Sequence, residues 1–426
     1  MNSPFKFDEA QALEIARTSV ASKLSPVPKD DVDLVESGAL DSMAWVDTLI
    51  SIESAAGIAD FGNPWTEKRS KSIRVLAEMI REAQRPFTEE ASENLSLPSH
   101  ANGRISIVGW ASALGSQKVT AEQIERALGL PPNKIREGAG IDSVCVAADS
   151  EDELTLAQRA AEIALEMAEI SVDDIDFLVA TSATFLGFPS LAASLHSRLL
   201  MPESSGALDV GGACVGLIYS LAVARGLLST RPQGVALVVA AEVHSRRLNG
   251  PQVPGEFRGL FGDGACAFVL SSAATAEQND CVSLHEFVWG CSGTFASSLA
   301  IRVSEDAGLK IQFKGEQLAQ AAVAQLNRIF GTLENLSGVS RTKVDYFAIH
   351  QPNPRVVEIL ADKAHIPLDR IPLVSKFYGN LGSVTCGASL CEALSSFRRS
   401  GDRSRTPLIF MAAVGPGLVW GGAYLN

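Results

Sequence analysis

A weak internal repeat is the feature of this 426-residue sequence that most restricts its fold. Residues 174–181 (DIDFLVAT) resemble residues 343–350 (KVDYFAIH) at an offset of 169, and each segment reads as a buried strand after a helix. In both copies a glycine-rich loop opens a helix 33 residues after the strand ends, at 211–214 (GGAC) and 379–383 (GNLGS). Two similar halves around a pseudo-two-fold axis would bring Cys214, His350 and Asn380 together.

The pattern outside the repeat divides the chain into an N-terminal helical unit, a linker and a larger domain. Residues 1–85 contain the predicted helices 8–21, 41–56 and 70–83. Residues 86–103 are polar, include two prolines and have the composition of a flexible linker. From residue 104 onward, short apolar strands alternate with helices, which indicates a layered α/β domain. We place its N-terminal half at 104–275 and its C-terminal half at 276–426.

Composition excludes several classes of protein. The 36 Lys and Arg residues against 49 Asp and Glu give a net charge of −13, which argues against a nucleic-acid partner. The longest apolar runs, such as 235–241, are too short to span a bilayer, and the first residues lack a secretory pattern. Seven scattered cysteines with no zinc-type spacing predict a reducing, cytoplasmic location and no metal site.

Cys214, His350 and Asn380 are the candidate catalytic residues of the large domain. Cys214 follows a Gly-Gly-Ala turn and opens a helix, where the helix dipole is expected to favour the thiolate. A lone cysteine in an apolar protein, a histidine at a strand end and an asparagine in a turn are each more often structural. The prediction therefore depends on their matched places in the repeat.

Ser42 is the candidate modification site of the helical unit. It stands at the head of an amphipathic helix, and residues 30–60 hold eight acidic residues with no Lys or Arg. Helix capping by Asp41 or Ser42 is the structural alternative. A serine at a helix N-terminus is exposed, and the dipole and free N–H groups there favour an added phosphate.

Residues 8–85 resemble acyl carrier proteins. Their Asp-Ser-Leu signature stands here as Asp41-Ser42-Met43, with Met43 in place of the usual leucine. The resemblance implies that Ser42 carries a covalent 4′-phosphopantetheine arm, attached by a phosphopantetheinyl transferase. It also implies that the acidic helix face docks on basic patches of partner enzymes.

Residues 104–426 resemble the ketoacyl synthase III enzymes of the thiolase superfamily. The matching stretches are 188–190 (FPS), 209–214 (DVGGAC), 260–265 (LFGDGA), 350–353 (HQPN), 378–380 (YGN) and 415–421 (GPGLVWG). The resemblance implies an α/β thiolase fold of two pseudo-repeated halves in five αβαβα layers, here preceded by a small all-α carrier-protein bundle. It also implies a homodimer.

The family's roles carry over to matching positions. The resemblance implies that Cys214 accepts an acyl group as a thioester, and that His350 and Asn380 hydrogen-bond the carbonyl of a malonyl thioester. After loss of CO2, the carbanion attacks the acyl group on Cys214, whose own N–H is a natural oxyanion donor. The substrate pocket implied by the resemblance consists of Phe188, placed near a dimer interface, together with Val414, Gly415 and Gly417.

Three departures from the family pattern involve four residues. Gly138 and Asp142 replace basic residues that many relatives use near the nucleotide of coenzyme A, which favours acyl groups delivered on carrier proteins. Pro416 replaces a glycine whose N–H serves the oxyanion hole, and proline has no N–H. Val414 replaces a phenylalanine beside the nucleophile, which would widen the acyl pocket or weaken decarboxylation.

These observations predict an acyltransferase of the condensing type, a 3-oxoacyl-carrier-protein synthase III-like enzyme. It would extend acyl groups with malonyl units carried on carrier proteins, in polyketide or fatty-acid-like biosynthesis, with the fused carrier raising the local concentration of substrate at Cys214. One alternative is an acyltransferase that passes the acyl group on unextended, with His350 as general base. A second alternative is a non-catalytic carrier or docking subunit.

Overall fold

The computed structural model of the chain describes residues 7–57, 70–82, 104–248, 253, 258–273, 281–293, 296, 299–303, 309–313, 315–402 and 404–426. The chain divides into two compact units, one of residues 1–94 with 313–324 and one of residues 95–312 with 325–426. The predicted linker at 86–103 lies outside the described residues. The predicted domain boundaries stay predictions.

The helices of the first unit share one hydrophobic core. They are α1 (Glu9–Ala21), α2 (Ser42–Ala56) and α3 (Ile73–Glu82). α1 begins at a capping box, because the Asp8 carboxylate accepts from the Gln11 N–H at 2.8 Å and the Gln11 side chain accepts from the Asp8 N–H at 2.9 Å. Trp45 and Leu76 are buried in the shared core. The three predicted helices are confirmed, whereas their identity as a carrier domain stays a prediction.

The second unit alternates strands and helices from residue 106 onward. Its strands are β1 (Ser106–Leu114), β2 (Gln117–Thr120), β3 (Ser143–Val146), β4 (Phe177–Thr181), β5 (Gly206–Asp209), β6 (Val235–Val243), β7 (Asp263–Ser271), β8 (Val282–Cys291), β9 (Leu299–Val303), β10 (Leu309–Phe313), β11 (Tyr346–Ile349), β12 (Ile409–Gly415) and β13 (Val419–Leu425).

The helices that follow α3 connect these strands. They are α4 (Ala121–Leu128), α5 (Lys134–Ala139), α6 (Glu153–Ala168), α7 (Leu191–Arg198), α8 (Gly216–Leu228), α9 (Ser245–Leu248), α10 (Gly315–Ser337), α11 (Pro354–Ala364), α12 (Ser375–Tyr378) and α13 (Val384–Ser400).

Strand order confirms the internal repeat. The main sheet has nine described strands in the order β11-β12-β13-β8-β1-β7-β6-β4-β5. In the first half, β4 is parallel to β6, and β6, β7 and β1 then pair antiparallel. In the second half, β11 is parallel to β12, and β12, β13 and β8 pair antiparallel in the same way. The halves meet at β1 and β8, which share only two residue pairs, Ser106 with Ser283 and Ile107 with Val282.

The helices cover the sheet in layers. Alternate residues of β6 point to opposite faces, so Val238 lies in one hydrophobic cluster and Leu237 in another. Leu221 of α8 and Leu390 of α13 belong to the first cluster, which contains residues from both halves of the sheet. Helices α6 and α7 cover the other face of the first half. Across the second half, Phe330 of α10 packs on β11 and β12.

The resulting arrangement is the layered, mixed α/β fold of two repeated halves that the sequence predicted. Helices lie between its strands, as the predicted alternation of strands and helices requires. The sequence did not predict β8, the β2–β3 and β9–β10 ladders or the short helices α4, α5, α9 and α12. β8 was missed because polar His285 and Glu286 interrupt its apolar run. Four cysteines that stand in or beside apolar runs of the sequence are buried: Cys266, Cys281, Cys386 and Cys391.

Candidate active site

Cys214 lies in a tight turn between β5 and α8. The turn is the 3-10 segment Ala213–Val215, closed by a hydrogen bond from the Val215 N–H to the Gly212 carbonyl at 3.0 Å. Ala213 has a φ of 46°, in the left-handed region that a non-glycine residue rarely adopts. Gly415 at the end of β12 packs against this turn, since a Cβ built there would lie 3.4 Å from both Cys214 Cβ and Cys214 N. The end of β12 therefore lies against the turn that carries Cys214.

The environment of Cys214 does not favour a resting thiolate. Burial in the site, and then the nearby Glu242 carboxyl, raise the pKa of the Cys214 thiol to about 12, although a backbone hydrogen bond works in the opposite direction. The expectation of a stabilised thiolate is therefore wrong. Desolvation penalises the charged sulfur more than a helix N-terminus can compensate. At neutral pH the residue is therefore a thiol.

Asn380 is held on both sides of its backbone by the segment before β7. Its N–H donates to the Leu260 carbonyl at 2.8 Å, and its carbonyl accepts from the Gly262 N–H at 3.0 Å, which forms a parallel bridge opposite Phe261. Its side-chain Oδ1 accepts from the Gly382 N–H at 2.9 Å. Because Oδ1 is occupied, the orientation of the amide is fixed and both Nδ2 hydrogens remain available to donate.

His350 follows β11 and is buried. Its N–H donates to the Ala412 carbonyl of β12 at 2.9 Å, which extends the parallel ladder by one residue. Burial, and then the positive charge that His244 can carry, lower the pKa of His350 to about 4, opposed by a backbone interaction at Gly382. At neutral pH the ring is therefore uncharged, with one nitrogen that carries a proton to donate.

Two shared neighbours bring the three candidate catalytic residues to one site. β12 contacts both the His350 backbone, through Ala412, and the Cys214 turn, through Gly415. Gly382 contacts both Asn380 Oδ1 and His350. The arrangement places a thiol beside two uncharged hydrogen-bond donors. Such a set can form a thioester at sulfur and stabilise a developing oxyanion or enolate.

The predicted pocket residues lie in two places. Val414 is buried in β12 beside Gly415, and Gly417 has a φ of 123° in the 3-10 turn Pro416–Leu418 that follows. The Gly417 carbonyl accepts from the Cys291 thiol at 3.8 Å. The Phe188 side chain is fully exposed in the single chain. Its placement at an acyl pocket near a dimer interface stays a prediction.

Three residues of the site were missed by the sequence reading: Glu242, His244 and Ser383. Glu242 is fully buried and accepts from Ser383 Oγ at 2.6 Å and from the Thr184 N–H at 3.1 Å. Burial raises its pKa to about 7. Two signals pointed to them. Polar residues at 242 and 244 end a long apolar strand, and Ser383 stands 169 residues after Cys214, the offset of the repeat.

Ser42 is the first residue of α2 in the first unit. The Asp41 Oδ1 atom accepts from the Ala44 N–H at 2.7 Å, so Asp41 caps the helix. Three acidic residues of the 30–60 stretch pair with Arg or Lys residues from outside it, which the sequence alone did not reveal. The pairs are Arg17 with Asp30, Lys23 with Asp47 and Arg74 with Asp31.

The sequence predicts no metal site and no membrane-spanning segment. Among the residues that the structure describes, no cluster of three or more His, Cys, Asp and Glu side chains could hold a metal ion. Within the same residues, no helix combines the length and the apolar character that crossing a bilayer requires.

Comparison with known families places the second unit. Residues 208–293 match the family model described as 3-Oxoacyl-[acyl-carrier-protein (ACP)] synthase III, and residues 335–426 match the model of its C-terminal part. A beta-ketoacyl-[acyl-carrier-protein] synthase III of Alkalilimnicola ehrlichii is 31% identical over 329 residues, 75% of this chain and 98% of the relative. The enzyme of the same name from Ruegeria pomeroyi is 32% identical over 330 residues, 76% of this chain and 99% of the relative.

Solved structures agree with these sequence matches. The 3-oxoacyl-[acyl-carrier-protein] synthase III of Aquifex aeolicus superposes with a TM-score of 0.66 at 27% identity, over 76% of this chain and 99% of that one. OleA of Xanthomonas campestris superposes with a TM-score of 0.67 at 20% identity, over 76% of this chain and 98% of that one. The second likeness shows the fold alone.

Proposed function

Because the chain belongs to the 3-oxoacyl-[acyl-carrier-protein] synthase III family, we propose that it loads an acyl group on Cys214 and condenses it with a malonyl thioester. The observation that carries this proposal is the fixed Asn380 amide. Its Oδ1 atom is occupied by the Gly382 N–H, so its Nδ2 atom can donate beside the uncharged His350. Simple acyl transfer has less need of this second, oriented donor.

Loading begins with Cys214 as a thiol. Its sulfur attacks the carbonyl of an acyl thioester, the new C–S bond forms as the old one breaks, and the proton ends on the departing thiol. Because the pKa of Cys214 is about 12, proton transfer accompanies the attack. The neutral His350 ring is the base of the site, and His350 returns to its donor state once the thiol leaves.

Condensation follows from the two donors. When malonyl loses CO2, the electrons of the broken C–C bond collect on the thioester oxygen as an enolate, and hydrogen bonds from His350 and Asn380 Nδ2 stabilise that charge. The enolate carbon attacks the acyl carbonyl on Cys214. The sulfur then leaves as a thiolate and takes a proton from solvent. Pro416 has no N–H, so the oxyanion donor in this step is the Cys214 N–H.

The source of the acyl group is a carrier protein in this proposal. Asp142 replaces a basic residue, and its carboxylate lies 3.3 Å from Arg136 Nε and 3.9 Å from Lys376 Nζ. These two cations are therefore already paired with a carboxylate, and a nucleotide phosphate would compete with it. This arrangement supports thioesters on carrier proteins over free coenzyme A.

The N-terminal unit completes the proposal as a carrier. Ser42 would bear 4′-phosphopantetheine, attached by a phosphopantetheinyl transferase, and a tether raises the local concentration of its thioester at Cys214. Support comes from the position of Ser42, which is the first residue of α2 and directly follows the Asp41 cap. The exposed Phe188 supports a homodimer, since an isolated chain would leave this ring in water. We place the enzyme in cytoplasmic fatty-acid or polyketide biosynthesis.

Mass spectrometry of the full chain tests both parts. The chain is treated with a phosphopantetheinyl transferase and coenzyme A, then with an acyl thioester, and finally with malonyl-carrier protein. We expect a phosphopantetheine mass on Ser42, an acyl mass on Cys214 and a 3-oxoacyl product longer by one decarboxylated malonyl unit. An acyl group that moves on unextended would instead establish a simple acyltransferase. A chain that never loads Cys214 would be a docking subunit.

A further inference from the structure

Two buried titratable residues at the end of β6 have no part in the reaction described above. Glu242 is fully buried and His244 is 7% exposed, and both lie against the loop that carries Asn380. Such residues are costly to bury, because each loses its hydration. Their contacts show which parts of the site they hold.

Glu242 joins two loops of the site. Its carboxyl accepts from Ser383 Oγ at 2.6 Å on the Asn380 side. On the other side it accepts from the Ala183 N–H at 3.0 Å and the Thr184 N–H at 3.1 Å, in the loop that leads to Phe188. These bonds fix the position of Ser383, three residues after Asn380.

His244 holds Asn380 from two directions. Its ring stacks on Phe261 with centroids 5.1 Å apart and planes 22° apart, and Phe261 bridges the Asn380 backbone. The Cε1–Nε2 edge of the ring lies against Gly382, where an added Cβ would come within 2.9 Å of His244 Nε2. Gly382 in turn donates to Asn380 Oδ1. Gly382 and Phe261, the two neighbours that orient Asn380, therefore both contact the His244 ring.

We propose that Glu242 and His244 are positioning residues that aim the Asn380 amide at the malonyl thioester, acting through Gly382, Ser383 and Phe261. This inference rests on the proposed condensing function. A donor displaced by a fraction of an ångström loses most of its effect on the reacting oxygen, so the support matters for decarboxylation. Acyl loading of Cys214 does not use the Asn380 amide and is expected to be nearly independent of it.

The test measures the two half-reactions separately in the full chain. Decarboxylation is followed as CO2 release from malonyl-carrier protein, and acyl loading is followed as mass added to Cys214. For Ser383→Ala and His244→Ala we expect CO2 release to fall at least tenfold in kcat, with little change in KM and less than a twofold change in loading. Equal losses in both half-reactions would overturn the proposal.

Ser106→Ala is the matched control for Ser383→Ala. Ser106 is also fully buried, and its hydroxyl also has one side-chain partner, Ser283 Oγ at 2.9 Å. It pairs with Ser271 at the far end of β7 from Asp263, so it is remote from the site. The control is expected to keep both half-reactions. If Ser106→Ala lost as much CO2 release as Ser383→Ala, the effect would come from the loss of any buried hydroxyl and not from Ser383 in particular.

A double-mutant cycle separates positioning from general damage to the fold. In a chain that already carries Asn380→Ala, adding His244→Ala should cause no further loss of CO2 release, because the positioned group is gone. Additive losses would overturn the inference. The Asn380→Ala variant alone distinguishes the two proposals. If it releases CO2 as fast as the wild-type chain, the condensing function itself is refuted. Normal Asn380 dependence with unaffected His244 and Ser383 variants would refute only this inference.

Discussion

The two halves of the repeat place different chemistry at matched helix starts. Cys214 precedes α8 and Ser383 precedes α13, and each follows a residue in the left-handed region, Ala213 with a φ of 46° and Gly382 with a φ of 59°. Cys214 is partly exposed to the site, whereas Ser383 is fully buried against Glu242. The same backbone geometry therefore places a partly exposed thiol in one half and a buried, hydrogen-bonded hydroxyl in the other.

The largest effect is expected from removing the thiol at the start of α8. We expect Cys214→Ala to lower condensation by about 10⁴-fold or more, because no other group in the site forms the thioester. CO2 release from malonyl thioester should persist, since His350 and Asn380 are untouched. Product analysis with parallel CO2 measurement checks this. If Cys214→Ala kept full condensation activity, the start of α8 would not carry the reacting group.

Removal of the donor in the second half should give the reverse pattern. For Asn380→Ala we expect CO2 release to fall by about 10² to 10³-fold, the usual loss for one preorganised oxyanion donor. Loading of Cys214 should stay within a few-fold of wild type in the same preparation. If Asn380→Ala lost acyl loading as strongly as CO2 release, the two half-reactions would not depend on separate halves of the repeat.

The raised pKa of Cys214 predicts how its reactivity depends on pH. Because only the thiolate reacts with iodoacetamide and the pKa is about 12, the alkylation rate should rise about tenfold per pH unit from pH 7 to 10 without a plateau. Peptide mass spectra resolve Cys214 from the exposed Cys291, which serves as the internal comparison. A plateau near pH 7 would indicate a stabilised thiolate.

Substitutions at the two left-handed residues, Gly382 and Ala213, should change the free energy of unfolding by different amounts. Gly382→Ala adds a Cβ at positive φ against His244 Nε2, so we expect a loss of roughly 2–5 kcal/mol from backbone strain and crowding. Ala213→Gly relieves strain but loosens the unfolded chain, so its net effect should be below about 1 kcal/mol. Thermal melts of the two variants check this. Equal shifts would mean that the turns are packed alike.

The sequence predicted the parts of the fold that repeat and the residues that carry a motif. The strands at 174–181 and 343–350 were visible because both are apolar and 169 residues apart. β8 was not visible, because its burial depends on pairing with β13 and β1, far away in sequence. The high pKa of Cys214 could not be predicted either, since it depends on how many atoms enclose the sulfur and on the approach of Glu242.

A neutral reaction centre has a consequence for how the enzyme responds to salt. At pH 7 the Cys214 thiol, the His350 ring and the Asn380 amide all lack a net charge. Mobile ions screen interactions between exposed charges far more than those of fixed, enclosed dipoles. The chemical step should therefore be nearly insensitive to ionic strength. Any fall in overall rate at high salt then reports on the encounter between this acidic chain, with its net charge of −13, and its partners.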